Sequence, residues 1–474
     1  MNALRLLVSL SLAAANIATA AADNLPDDPS VSITDPIIAL TNARIIDGLG
    51  NPASEGQTIV LRNGRIGAVG ASPKIPADAV VHDLSGKTVM PGLVMVHEHS
   101  FYSSMVGGPF HMNYMEYSFP RMYLAAGVTT ARTTGSLEPY TDLELRERIS
   151  RGEAIGPKYH LTAPYVDGIG TGIAQLHGVK SPTDAARMIK YWAAEGFTSV
   201  KLYVSLPAAE MDTAIKTAHA NGLQVTGHIG RVSYREAAAM GIDNLEHGFL
   251  AASDWAPGRM PDEPANIGKI YDSIAEVEPQ SDDVTKVIQH LVDENVAITS
   301  TLAIFETFTR GRPPAGEAEL AALAPALRES YLKTWAAISQ SDNQTRVNAW
   351  NNNLAMELEF FNRGGLLVVG TDPTGYGGCL AGYGSWRAIE LLVEAGLSPL
   401  EAIQCATSNG AQLLGILDQT GTIEVGKAAD LIIVNGNPDE TIADLRKTET
   451  VLKDGIGYNS TTLFNSVAGM VGIQ

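Results

Sequence analysis

Eight times between residues 92 and 371 the chain repeats one unit: a short, nearly continuous apolar run followed by a longer stretch with helical periodicity. The runs occupy 92–97, 128–133, 158–163, 199–203, 223–228, 242–247, 296–301 and 366–371. Near-continuous apolar strands are those buried on both faces, the condition of a parallel sheet covered by helices. Intervening segments such as 181–194 and 207–220 are amphipathic at helical spacing. Eight consecutive βα units predict an α/β fold, a (β/α)8 TIM barrel over residues 91–415. The rival is a doubly wound open sheet, which would carry a Gly-rich phosphate loop after its first strand; PGLVMVHEHSFYSSM contains none. The stretches 251–293 and 305–362 exceed a helix plus a loop and are expected on the catalytic side as a lid or substrate pocket.

The two ends have a different texture. Residues 37–90 and 416–474 read as short strands bounded by Gly, Asn and Pro turns, so a small β-sandwich domain assembled from both chain ends is expected beside the barrel. The acidic, Pro-containing stretch 23–36 reads as a linker or irregular arm. Ahead of it, residues 1–22 have the layout of a cleaved signal peptide: Arg5, an apolar run from Leu6 to about Ala15, and the small-residue site Ala18-Thr19-Ala20. A secreted or periplasmic protein is therefore expected. No other apolar run reaches membrane-spanning length, so no membrane span is expected. The formal net charge of −19 would repel a nucleic-acid backbone, so no nucleic-acid partner is expected; self-association into a homo-oligomer is compatible with the sequence. With Cys379 and Cys405 as the only cysteines, disulfides do not build the fold, and whether these two pair stays open.

Chemistry concentrates where the apolar runs end. His97 and His99 close the first, His228 the fifth and His247 the sixth. In a barrel all C-terminal strand ends meet at one rim, so residues far apart in sequence become neighbours. In a His-x-His pair on a strand both imidazoles face the same side, a good chelate for a borderline metal such as zinc. Asp372 follows the eighth run, and Lys201 lies within the fourth. A lysine buried in an apolar strand needs compensation. It has two readings, a structural salt bridge or carbamylation by carbon dioxide, which would convert it to an anionic oxygen ligand. The remaining histidines read as ordinary surface or packing residues, although His160 and His177 flank a Gly-rich segment and are candidates for the substrate site.

These motifs resemble the amidohydrolase superfamily, near the branch of imidazolonepropionase-like hydrolases, Xaa-Pro dipeptidases and ochratoxin-type amidohydrolases. VMPGLVMVHEH is similar to the family's first strand, VKLY to its carbamate-lysine strand, GHIG and LEHG to its later histidine strands, and GTD to its eighth. The stretch GTIEVGKAADLIIVNGNP resembles the return into the small β domain. Glu98, between the paired histidines, departs from the family's small or apolar residue. The resemblance implies two divalent metal ions, zinc being expected. His97, His99 and Asp372 would hold one ion and His228 and His247 the other, with Lys201 bridging them as N6-carboxylysine. It further implies a metal-bridging hydroxide as nucleophile, with Asp372 moving the proton to the leaving amine, in cleavage of an amide C–N bond of a small molecule, N-acyl amino acid or dipeptide. Tyr203 has two readings, a donor to the substrate or a core packing residue, and by residue type alone Tyr165, His177, Arg231 and Arg310 are expected to meet a carboxylate.

Lactone, ester or cyclic imide hydrolysis, or Xaa-Pro dipeptidase action, would suit the same site. A mononuclear deaminase on this fold would usually lack Lys201 and carry His-x-x-Glu after strand five; here His228 is followed by Ile229, Gly230 and Arg231. A non-catalytic metal or solute-binding protein would have no use for Asp372 as a proton shuttle.

Overall fold

A computed structural model describes residues 26–106, 111–170, 175–264 and 266–472; the expected leader at 1–22 lies outside them. Eight parallel strands carry the site. They are β1 (Leu93–Glu98), β2 (Val128–Thr133), β3 (Lys158–Leu161), β4 (Ser199–Leu202), β5 (Gln224–Gly227), β6 (Asn244–Glu246), β7 (Ala297–Ser300) and β8 (Leu367–Val369). Hydrogen bonding runs in the order β3-β2-β1 and, in a second sheet, β4-β5-β6-β7-β8. The two sheets touch at both seams: Ala163 N–H donates to Ser199 O at 2.9 Å between β3 and β4, and Asp372 N–H donates to His97 O at 2.9 Å beyond the end of β8. At the second seam a Cβ on Gly370 would lie 2.2 Å from His97 Cβ, so only glycine lets β8 come this close to β1.

Every residue of β1, β2 and β4 is buried, as their near-continuous apolar character requires. At least one helix fills each interval between these strands. The helix Pro182–Ala194 begins where Ser181 caps it, its side chain accepting the Asp184 N–H, with proline next in the first turn.

Both chain ends enter one nine-stranded sheet. Its path runs Val31–Ile33, Ile456–Asn459, Thr448–Lys453, Leu431–Val434, Thr88–Pro91, Ile37–Ile45, Ser54–Arg62 and Arg65–Gly70, with Val80–Asp83 beside Ile37–Ile45. Alternation gives this sheet two apolar faces. Val89, Leu431 and Ile433 pack with Ile38, Leu40 and Ile59 in a core of their own. Met90, Ile432 and Val434 face the other way and join the main core.

Two segments differ from their sequence reading. Val31–Ile33, expected in an irregular arm, is a strand antiparallel to Ile456–Asn459; its buried Ile33 joins the small core, which outweighs the turn-forming residues around it. After β1 the chain forms an antiparallel hairpin, Phe101–Ser104 with His111–Tyr114, that no alternation pattern announced. Among the described residues no helix is long and apolar enough to cross a membrane.

Candidate metal centre

The strand ends bring His97, His99, Lys201, His228, His247 and Asp372 to one place. Ring centroids of His97 lie 5.4 Å from His99 and 4.9 Å from His247, and His247 lies 4.3 Å from His228. Asp372 Oδ1 is 3.3 Å from His99 Nε2 and 3.8 Å from His97 Nε2, while its Oδ2 is 3.8 Å from His247 Nδ1. The ligand atoms of His97, His247 and Asp372 all fall within 4.8 Å of one another.

Local backbone geometry aims two of these groups. His247 and Asp372 both have positive φ, 69° and 49°, an uncommon conformation for residues with a Cβ. His247 is held there by its Nδ1 contact with Thr301 Oγ1 at 2.8 Å, and by Tyr234, whose hydroxyl donates to the carbonyls of Glu246 and Gly248. Gly248 also has positive φ, and a Cβ on it would strike Glu357. At Asp372 the N–H donates to His97 O and the carboxylate accepts from Thr374 Oγ1 at 2.8 Å.

Electrostatics prepare the cluster for a cation. Burial holds His97 and His247 well below the ordinary imidazole value and pushes His228 down to about 3. Neutral imidazole is the metal-binding form. Burial opposes the Asp372 charge, yet its carboxyl is held well below the usual range, with the His99 ring as its hydrogen-bond partner at 3.3 Å. Both ring nitrogens of His97 and Nδ1 of His99 are buried without a hydrogen-bond partner. Orphaned lone pairs beside an ionised carboxylate are what a divalent ion would satisfy, so this donor set fits one.

Lys201 Nζ lies 2.9 Å from Glu246 Oε2, both side chains buried. The contact is an ion pair without hydrogen-bond alignment, since Glu246 Oε2 has no hydrogen-bond partner; Nζ donates instead to Thr134 O at 3.3 Å. Of the two readings of this lysine, the present geometry is the salt bridge. Glu246 was not singled out in the sequence, although it precedes His247 in LEHG; its Oε2 also stands 3.9 Å from His97 Nδ1. Glu98 points to the other side of β1, where Oε1 accepts the Thr371 N–H at 3.0 Å and burial pushes its carboxyl up to about 8. The unusual middle residue of HEH therefore ties β1 to β8.

A cavity of about 380 Å³ opens on the cluster, and both Tyr165 and Tyr203 line it. Burial raises both phenols, so they stay protonated as donors. Tyr271, Phe305 and Phe308 also line it, so the two long gaps do contribute a pocket. Three expected carboxylate contacts do not. His177 is solvent-exposed and 3.4 Å from Asp184, drawn to the surface helix that this aspartate opens. Arg231 Nε pairs with Asp262 Oδ1 at 2.8 Å. Arg310 donates to Ser341 O and Gln344 Oε1. Each polar group satisfied a local partner instead of the rim. His160 lines a different cavity, between the strands' N-terminal ends and the small sheet. Cys379 and Cys405 are free and buried.

The sequence profile of the Amidohydrolase family matches residues 88–456, a span containing all six clustered residues. The chain belongs to the amidohydrolase family. Among curated proteins, this amidohydrolase is 36% identical over 77 residues to the 5'-deoxyadenosine deaminase of Methanobrevibacter smithii, covering 16% of this chain and 18% of that enzyme. It is 40% identical over 68 residues to adenine deaminase 4 of Rhizobium meliloti, covering 14% and 11%. The matched stretches thus span less than a fifth of either relative. Solved structures match over far more of the chain. A Xaa-Pro dipeptidase with bound methionine in its active site superposes with a TM-score of 0.68 at 21% identity, covering 89% of this chain and 100% of that one. Bottromycin amidohydrolase gives 0.69 at 19% identity, covering 95% and 96%. The A. niger ochratoxinase gives 0.61 at 17%, covering 89% and 95%. At these identities the likeness establishes the shared fold, a barrel with an extra domain.

Proposed function

We propose that this amidohydrolase is an exported, metal-dependent enzyme that cleaves the amide C–N bond of a small molecule. In this reading the eight strands close as a (β/α)8 barrel over 91–415, and 37–90 with 416–474 form a companion β-sandwich. The leader at 1–22 is removed in a secretory or periplasmic route. The observation that carries the function is the convergence of His97, His99, His228, His247 and Asp372 with unsatisfied buried nitrogens. His97, His99 and Asp372 would hold one divalent ion and His228 and His247 a second, with Lys201 as N6-carboxylysine between them. Zinc is the ion such a nitrogen-rich set favours. When bound, the ions supply Lewis acidity that acidifies water and polarises the scissile carbonyl.

The protein's own groups do the rest. Asp372, ionised and tethered by Thr374, takes a proton from the attacking water and passes it to the departing nitrogen. Tyr203 and Tyr165 present hydroxyls to the substrate, and the apolar wall excludes bulk water.

Elemental analysis should find about two divalent ions per chain, and the peptide containing Lys201 should be heavier by one carbon dioxide when digested cold and unacidified. A screen of amides, N-acyl amino acids and dipeptides should show turnover that Asp372→Ala abolishes; activity on lactones or cyclic imides alone would redirect the reading. The short likeness to two deaminases favours a second reading, release of ammonia from an aminopurine. The buried Lys201 next to the histidines speaks against it, and an ammonia assay with adenine and 5'-deoxyadenosine decides.

A further inference from the structure

The cavity beside the cluster has two chemically distinct parts. Its floor carries His99, Lys201, His228, His247 and Asp372. Its wall is Leu250, Ile270, Tyr271, Ile304, Phe305 and Phe308, and every other lining residue is uncharged. Ile267, also in the lining, is 49% exposed, so the apolar surface continues outward to solvent.

No cation is free to meet an anionic substituent among the described residues of this lining. Lys201 faces Glu246. Arg231 and Arg310 are engaged with Asp262, Ser341 and Gln344. Arg346 stacks on Tyr271, its Cζ 4.0 Å from the ring centroid, and is not part of the lining. Residues 107–110, 171–174 and 265 contain no Lys, Arg or His. A carboxylate placed against this wall, away from the ions that the floor would hold, would lose its hydration with no opposing charge in return. An aryl or branched alkyl group would gain from burial against Phe305 and Phe308.

We propose that the substrate group lodged against the Phe305–Phe308 wall is neutral and apolar, so that the enzyme prefers hydrophobic neutral amides to free dipeptides and N-acyl amino acids. This rests on the amide-hydrolase reading above. In the reaction the water oxygen bonds to the carbonyl carbon as the C–N bond breaks. One water proton goes to the nitrogen, giving an amine, and the other fragment leaves as a carboxylic acid.

The test compares N-benzoylphenethylamine with N-benzoylphenylalanine, which differ only by the carboxylate beside the nitrogen. With metal-loaded enzyme, kcat/KM should be at least about tenfold higher for the neutral amide, and Ile270→Arg should shift the ratio about tenfold towards the acid. Calorimetric binding of both compounds to Asp372→Asn gives the same comparison without turnover. Tighter binding of the neutral amide with no hydrolysis of either compound would sink the hydrolase reading while upholding this one. Equal or tighter binding of the acid, or binding of neither, would overturn it. Arg346→Gln should leave the ratio unchanged; a selective loss of the acid would make Arg346 a carboxylate receptor and overturn the proposal as well.

Discussion

The two ends of the eight strands bury ionisable groups in opposite ways. At the N-terminal end, Lys158 Nζ lies 2.9 Å from Asp430 and 2.6 Å from Asp454, and Asp430 also accepts from Thr420 Oγ1 and the Asp454 N–H. Between the two ends, Arg132 donates to Asn244 Oδ1 at 2.7 Å and to Val96 O at 2.8 Å. At the C-terminal end, His97 has no partner for either ring nitrogen and His99 none for Nδ1. Groups that satisfy one another hold a fold together, whereas groups left unsatisfied in a buried place are kept for something that arrives from outside. In the proposed reading the lower end serves stability and the upper end serves chemistry.

This contrast can be broken most directly at Asp372. Asp372→Asn should lower kcat by about a thousandfold while leaving the circular dichroism spectrum close to wild type and lowering the melting curve by no more than removal of the ions does; activity within tenfold would remove the aspartate from the reaction. Stripping divalent ions with a chelator should abolish turnover and, because ligand binding stabilises only the folded state, lower stability by roughly 3 kcal/mol. Readdition should restore both, and a melting curve indifferent to chelator would count against an ion at the upper end.

At the lower end the expected pattern reverses. Asp430→Asn removes a fully buried charge and should cost about 2 kcal/mol in urea unfolding, a figure held down because Lys158 keeps 34% of its side chain exposed. Its kcat should stay at the wild-type value. Tyr203→Phe removes one hydroxyl from the cavity and should reduce kcat/KM by about tenfold with unchanged stability. A last effect concerns pH. Burial holds His160 down at about 4 against an ordinary 6.5, so the unfolded chain takes up this proton first as pH falls. Stability from its neutral form is therefore complete above about 6.5 and is lost progressively down to about 4. His160→Gln should flatten the acid side of the stability profile between about 6.5 and about 4, without moving the pH profile of kcat.

Much of this was legible in the chain itself. All eight strand positions follow from apolar runs, because a strand buried on both faces has little choice of residue. The Ser181-Pro182 start of a helix is local chemistry, and so is the shared face of His97 and His99. The hairpin after β1 was not legible, since His111–Tyr114 is half-exposed and its pairing depends on what lies next to it. Glu246 escaped notice because nothing in LEHG tells which carboxylate will find a lysine from another strand.

Residue order by itself determined the repeating unit, the strand ends and the kind of side chain each presents, because periodicity and burial act within a few residues. Only the tertiary structure decided that Lys201 faces Glu246, that Glu98 fastens β1 to β8, and that Arg231, Arg310 and His177 turn to local partners rather than to the cavity. Those outcomes depend on which charged or polar group arrives within a few ångströms, and across gaps that run from 7 residues for His177 and Asp184 to 273 for Glu98 and Thr371 that distance is set by packing, not by spacing along the chain.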